Sequence, residues 1–171
     1  MINGHVTHAE KDGVHVFRYY GRAEYWVAPA LQHYMDEVVE AGSRGVVFDL
    51  TQAERLDSTN LGLLARMANR VRHAGGPKCI IVSTREDINS VLWSMGFDRI
   101  FDLVTEPPDF SGRTGSGPAE RNVPLAQASA AELKQAMLEA HRALAGMSSR
   151  GEVEFRDVVA CLERDPYGAA H

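Results

Sequence analysis

The chain has 171 residues, enough for one domain with an appendage, and its 44% hydrophobic and 24% charged residues fit a globular protein. A formal net charge of −5, with neither part of the chain basic, excludes non-specific capture of nucleic-acid phosphates, so no nucleic-acid partner is expected. No apolar run nears the roughly 20 residues that span a bilayer. The start MINGHVTHAEKDG lacks the basic and apolar regions of a secretory signal, which predicts a cytoplasmic protein with no membrane partner.

In chain order, residues 2–8 and 14–20 alternate as two strands, and K-D-G between them signals a hairpin. Residues 27–41 place Leu31, Met35 and Val38 on one helical face, with Pro29 tolerated in the first turn and Gly42 at the end. GVVFDL (45–50) reads as a buried strand. The run 58–74 puts Leu61, Leu64, Ala65, Ala68 and Val71 on one stripe before Gly75-Gly76 stops it. KCIIVST (78–84) is a further buried strand. EDINSVLWSMGF (86–97) is a short helix with Ile88, Leu92 and Met95 inward, and RIFDLV (99–104) gives a last strand. The order β-β-α-β-α-β-α-β predicts an α/β domain over 1–105, in which helical crossovers make much of a mixed central sheet parallel.

Residues 106–126 hold four prolines and three glycines without periodicity and read as a linker. Over 127–171 two helices follow. Ser129 and Glu132 form a capping-box pattern, Leu133, Met137, Ala140, Leu144 and Met147 share a stripe, S-S-R-G (148–151) turns the chain, and Phe155, Val158, Val159 and Leu162 form a second stripe. Such an αα-hairpin cannot bury its apolar faces alone. It must dock on the main domain, on a partner, or on a second copy, the last of which would make a homodimer. Cys79 and Cys161 lie in the apolar stretches KCIIVS and VVACLE and are expected to be buried, reduced thiols.

No nucleophile elbow, phosphate-binding glycine loop, C-x-x-C or H-E-x-x-H occurs. His5 and His8 are three apart, a spacing that sends them to opposite faces of a strand. Asp49 at the end of a buried strand is better read as meeting backbone donors than as a catalytic group. The expectation is a protein that is not an enzyme and holds neither metal nor cofactor.

The remaining motif is L56-D-S-T-N-L-G62. Taken alone it is a helix cap, with Asp57 or Ser58 satisfying an orphan N–H. In its setting it says more. The strand V46-V-F-D-L50, this loop, the helix ending R72-H-A-G-G76, the strand C79-I-I-V82, and V91-L-W-S-M-G-F97 with I100-F-D-L103 together resemble the STAS domain, in particular the bacterial anti-sigma-factor antagonists. The match spans about residues 1–105 in the expected order.

The resemblance implies that Ser58, following the motif's Asp57, is phosphorylated by a partner kinase, with Thr59 the alternative. It implies a partner-binding surface of Glu24, Asp57, Ser58, Thr59, Asn60 and Arg66. Two positions depart from the family pattern. Asn60 stands where Gly is common, a residue that tolerates a left-handed backbone and caps well, and Glu24 stands near the position of a loop Asp. Arg66, Arg70 and His73 form either a solvated face or a positive stripe beside the switch. The function implied is that of an antagonist that binds an anti-sigma factor/serine kinase when unphosphorylated, leaves it when phosphorylated, and is reset by a PP2C-like serine phosphatase. The alternative is a STAS accessory subunit of a larger complex such as a lipid-transport ATPase, without phosphorylation.

Overall fold

The computed structural model describes residues 4–108 and 119–164. A mixed six-stranded sheet runs β5-β4-β3-β2-β1-β6. Strands β1 (Gly4–Lys11) and β2 (Val14–Ala23) are antiparallel, joined by Asp12 and Gly13 at φ 53° and 82°. Two successive positive φ values match the right-handed twist of the paired strands, which is why D-G works as the turn. From β2 the chain passes through a 3₁₀ turn (Tyr25–Val27) and α1 (Ala28–Glu40) to β3 (Gly45–Leu56). Next come α2 (Ser58–His73), β4 (Cys79–Val82), α3 (Glu86–Ser94), a 3₁₀ turn (Phe97–Arg99) and β5 (Phe101–Val104). The pairs β2–β3, β3–β4 and β4–β5 are all parallel, as helical crossovers require.

Alternation along the strands sorts the two faces of the sheet. Val46, Phe48 and Leu50 on β3, with Phe17 and Tyr19 on β2, join Leu31 and Met35 of α1, Leu64 of α2 and Leu92 of α3 in one buried cluster. Phe17 stacks on Phe48, which meets Phe101 edge-on, so aromatic contacts cross the sheet. Each such side chain removed from water stabilises the fold by roughly 1.5–3 kcal/mol. On the opposite face, Asp49 accepts from Arg18 Nε at 2.7 Å and from the Thr51 amide and hydroxyl at 2.9 and 2.6 Å. That carboxylate is therefore fully engaged in holding the sheet.

Several elements differ from the sequence expectation. Strand β3 continues to Leu56, because beyond the end of β4 it still pairs with β2 through two register shifts, turning only Ala53 into the core while Gln52, Glu54 and Arg55 stay exposed. Inside the stretch expected to be linker, β6 (Arg121–Asn122) pairs with β1, while 109–118 lie outside the described residues. The last two helices are α4 (Ala130–Ala145), with the full capping box of Ser129 and Glu132, and α5 (Ser149–Arg164). The second starts within the expected turn because the Ser148 hydroxyl accepts from the Gly151 amide at 3.0 Å, acting as a cap. On α5 only Gly151 and Phe155 are buried. Val158 and Cys161 are exposed, so the expectation of two buried thiols holds for Cys79 alone. Helix α4 docks along α2, which fills the hairpin's need for a partner within the same chain.

Candidate functional site

The site begins where β3 ends. Asp57, extended at φ −79° and ψ 173°, is the N-cap of α2. Its Oδ1 accepts from both the Asn60 amide and the Asn60 side-chain Nδ2, each at 2.9 Å. The Asp57 amide donates to the Ala23 carbonyl at 3.2 Å, tying the cap to the end of β2. Asn60 is therefore helical and fully buried, not a left-handed loop residue, and its Oδ1 is a buried acceptor without a partner among the described residues. The correction has a simple cause: the Asp57 cap starts the helix at Ser58, so Asn60 already lies in its first turn.

Ser58 is the first residue of α2 and is half-buried, whereas Thr59 beside it is 2% exposed. Of the two hydroxyls, the Ser58 hydroxyl is thus the accessible one. It lies 2.9 Å from Nε2 of His141, a buried residue of α4. The other ring nitrogen of His141, Nδ1, is 2.6 Å from the Met137 carbonyl. A carbonyl can only accept, so Nδ1 carries a hydrogen, and in the tautomer with its single hydrogen there Nε2 accepts from Ser58. Phe155 of α5 meets the His141 ring edge-on with centroids 5.7 Å apart, holding it from behind.

Two further turns along α2, Gly62 and then Arg66 continue the same stripe. A Cβ built on Gly62 would lie 2.2 Å from the carbonyl oxygen of Ala140. Arg66 makes a bidentate pair with Asp36 of α1 at 2.8 and 3.1 Å and reaches Glu139 of α4 through Nε at 3.0 Å. Burial works against its charge, but these carboxylates hold its pKa above the ordinary value. Arg70 pairs with Asp36 and Glu40, so Arg66 and Arg70 are engaged within the chain, while His73 of the expected stripe is exposed. Glu24 is exposed at the end of β2 and its side chain caps nothing.

The structure thus gathers Asp57, Ser58, Thr59 and Asn60 at the start of one helix, sets Arg66 two turns on, and places Glu24 next to Ala23, whose carbonyl accepts from the Asp57 amide. Beside that turn a cleft of about 950 Å³ is lined by Arg22, Arg55, Arg85, Leu61, Ile88 and Val91. Among the described residues no group of three or more His, Cys, Asp or Glu could hold a metal ion, and no helix is long and apolar enough to cross a membrane. The residue that sequence reasoning missed is His141. Its signal was present: it falls four residues after Met137 and three before Leu144, on the apolar side of α4, where a ring with two nitrogens needs partners.

The STAS domain family model matches residues 5–108. Among solved structures, the chain is similar to an anti-sigma factor antagonist from Mycobacterium paratuberculosis, at 25% identity over 60% of this chain and 86% of that one, with a TM-score of 0.54. Its fold is also similar to that of the protein TM1081, at 23% identity over 56% of this chain and 77% of that one, with a TM-score of 0.52. The anti-sigma factor antagonist SpoIIAA in its unphosphorylated form gives 14% identity, 58% and 89% coverage, and a TM-score of 0.51. No match is found among curated proteins. With the family model matching most of the chain, and with the sheet and helix order described above, the chain belongs to the STAS domain family.

Proposed function

We propose that the protein is an anti-sigma-factor antagonist of a partner-switching system, working in the cytoplasm and controlled by phosphorylation of Ser58. The observation that carries this reading is the position of Ser58: a half-buried hydroxyl at the first residue of a helix, on a STAS fold similar to that of an anti-sigma factor antagonist. The partners would be an anti-sigma factor that is also a serine kinase and a PP2C-like serine phosphatase. Glu24, Asp57 and Arg66 would contribute to the surface around the switch, with the buried Thr59 and Asn60 supporting the turn beneath it.

The physical logic runs through charge. Phosphorylation adds about −1.5 to −2 charges and three acceptor oxygens. The start of α2 receives negative charge favourably, by about 0.3–1 kcal/mol, so the STAS core tolerates the modification. A partner pressing an apolar or acidic surface against Ser58 does not, and a penalty of about 3 kcal/mol weakens its binding roughly a hundredfold. Asp57 is already committed to capping Asn60, so its contribution is to fix the turn that presents Ser58.

Intact mass tests the reading on wild-type protein and Ser58→Ala, each isolated from native cells with phosphatases inhibited. The expected result is a species about 80 Da heavier in wild type alone. Its absence under both growth and stress would reject phospho-switching and leave a constitutive binding role.

A further inference from the structure

The stripe of α2 that carries Ser58 is largely covered, with Ser58 and Arg66 only partly open to solvent and Gly62 buried. Ser58, Gly62 and Arg66 lie at i, i+4 and i+8, and each is met by three consecutive residues of α4. His141 accepts from Ser58 at 2.9 Å, the Ala140 backbone passes directly over Gly62, and Glu139 pairs with Arg66 at 3.0 Å. Glu139 is held in turn by Gln32 of α1 at 2.6 Å. Gly62 is costly in mid-helix, where Ala is favoured by roughly 0.5–1 kcal/mol. The atoms nearest to a Cβ at Gly62 all belong to Ala140, so in this fold its missing side chain serves the approach of α4.

We propose that α4 is an internal occupant of a docking face on α2, and that the hairpin must swing away before a partner can engage Ser58. This rests on the reading of Ser58 as the switch residue. In the closed form the Ser58 hydroxyl is held 2.9 Å from His141, so a kinase that must reach that oxygen and remove its hydrogen meets α4 first. Kinase and hairpin therefore compete. The contacts of α4 also describe what fits in its place: a helix with a small residue over Gly62, a carboxylate for Arg66 and an acceptor for Ser58. The partner surface this face selects is a helix that is acidic at the position facing Arg66.

The test uses the full chain carrying Ser58→Cys and Cys161→Ser, with maleimide labelling followed by intact and peptide mass. Cys79 is buried and reports whether the sheet stays folded. Adding Gly62→Ala, which drives a methyl group into α4, or Glu139→Lys, which reverses the charge opposite Arg66, should speed labelling at position 58 by about tenfold or more while Cys79 stays unlabelled. Equal rates in all three proteins would overturn the proposal. If Gly62→Ala exposes Cys79, Glu139→Lys decides, because it alters only α4. In the Glu139→Lys protein, a synthetic peptide of residues 128–164 should slow labelling again, and the same peptide with Glu139→Lys should not. Equal protection by both peptides would refute the acidic-helix partner. Labelling reads the cover and cellular mass reads the phosphate, so the hairpin can fail while the antagonist reading stands, or the reverse.

Discussion

Lowering the pH from 7 to 5 should destabilise the protein through one buried histidine on β1. His8 is 2% exposed, stacked on Phe17 with centroids 4.8 Å apart, with Nδ1 at 2.7 Å from the Tyr34 hydroxyl and Nε2 at 2.8 Å from Nδ1 of His15. One hydrogen fits between the two imidazoles, so the pair cannot hold a proton on both facing nitrogens. Burial first, then His15 and Arg121, push the His8 pKa down to about 4, against an opposing pull from Glu10, and burial lowers His15 as well. The folded state thus binds its proton less readily than the unfolded chain, whose histidine titrates near 6.5. The stabilisation is complete above that value and fades as pH falls towards 4. From the two values, His8 alone should cost about 2 kcal/mol between pH 7 and pH 5. Urea unfolding at pH 7, 6 and 5, followed by far-UV circular dichroism, measures this for wild type and His8→Phe. The phenylalanine keeps the stack on Phe17 but leaves the Tyr34 hydroxyl and His15 Nδ1 without that partner, lowering stability at pH 7 by about 1–3 kcal/mol. Its profile should nevertheless fall by about 2 kcal/mol less than wild type on acidification. Parallel profiles would refute a neutral, buried His8.

Two further outcomes follow from the geometry. Asp57→Ala removes the cap of α2 and strands the buried Asn60 amide, so urea unfolding at pH 7 should show a loss of about 2–3 kcal/mol, more than the roughly 1 kcal/mol of an ordinary cap. In wild-type protein a thiol reagent should modify Cys161 alone in the native state and both cysteines in denaturant, because Cys79 is buried and its thiol is pushed up to about 12.

The alternating strands, the D-G turn and the helical stripes were legible because each is a local pattern. Phe48 and Leu50 fall two apart on one face, and Leu64, Ala68 and Val71 recur at helical spacing against the same core. The cap at Asp57 was legible too, for the same reason. What escaped was decided by distant neighbours. Strand β3 runs to Leu56 because β2 remains beside it, and Cys161 is exposed because α5 meets the rest of the chain mainly through Gly151 and Phe155. The contact between Ser58 and His141 spans 83 residues, and no periodicity within either helix registers it.

The two sides of α2 are built differently, and that difference bears on how the hairpin behaves. Towards the sheet, Leu64, Ala68 and Val71 interlock with large buried side chains whose loss from the core is costly. Towards α4 the stripe is a serine, a glycine and an arginine. The pairing relies on close backbone approach, one neutral hydrogen bond and a partly exposed ion pair, interactions worth about 1 kcal/mol or less each in water. Each can be replaced by a partner presenting the same groups. On the other side of the contact, α4 has Ala136 and Leu144 buried, and α5 adds Phe155. Opening therefore exposes apolar surface on the hairpin. A cover of this construction holds the face shut in the free chain, yet leaves α2 folded and ready to bind once the cover is displaced.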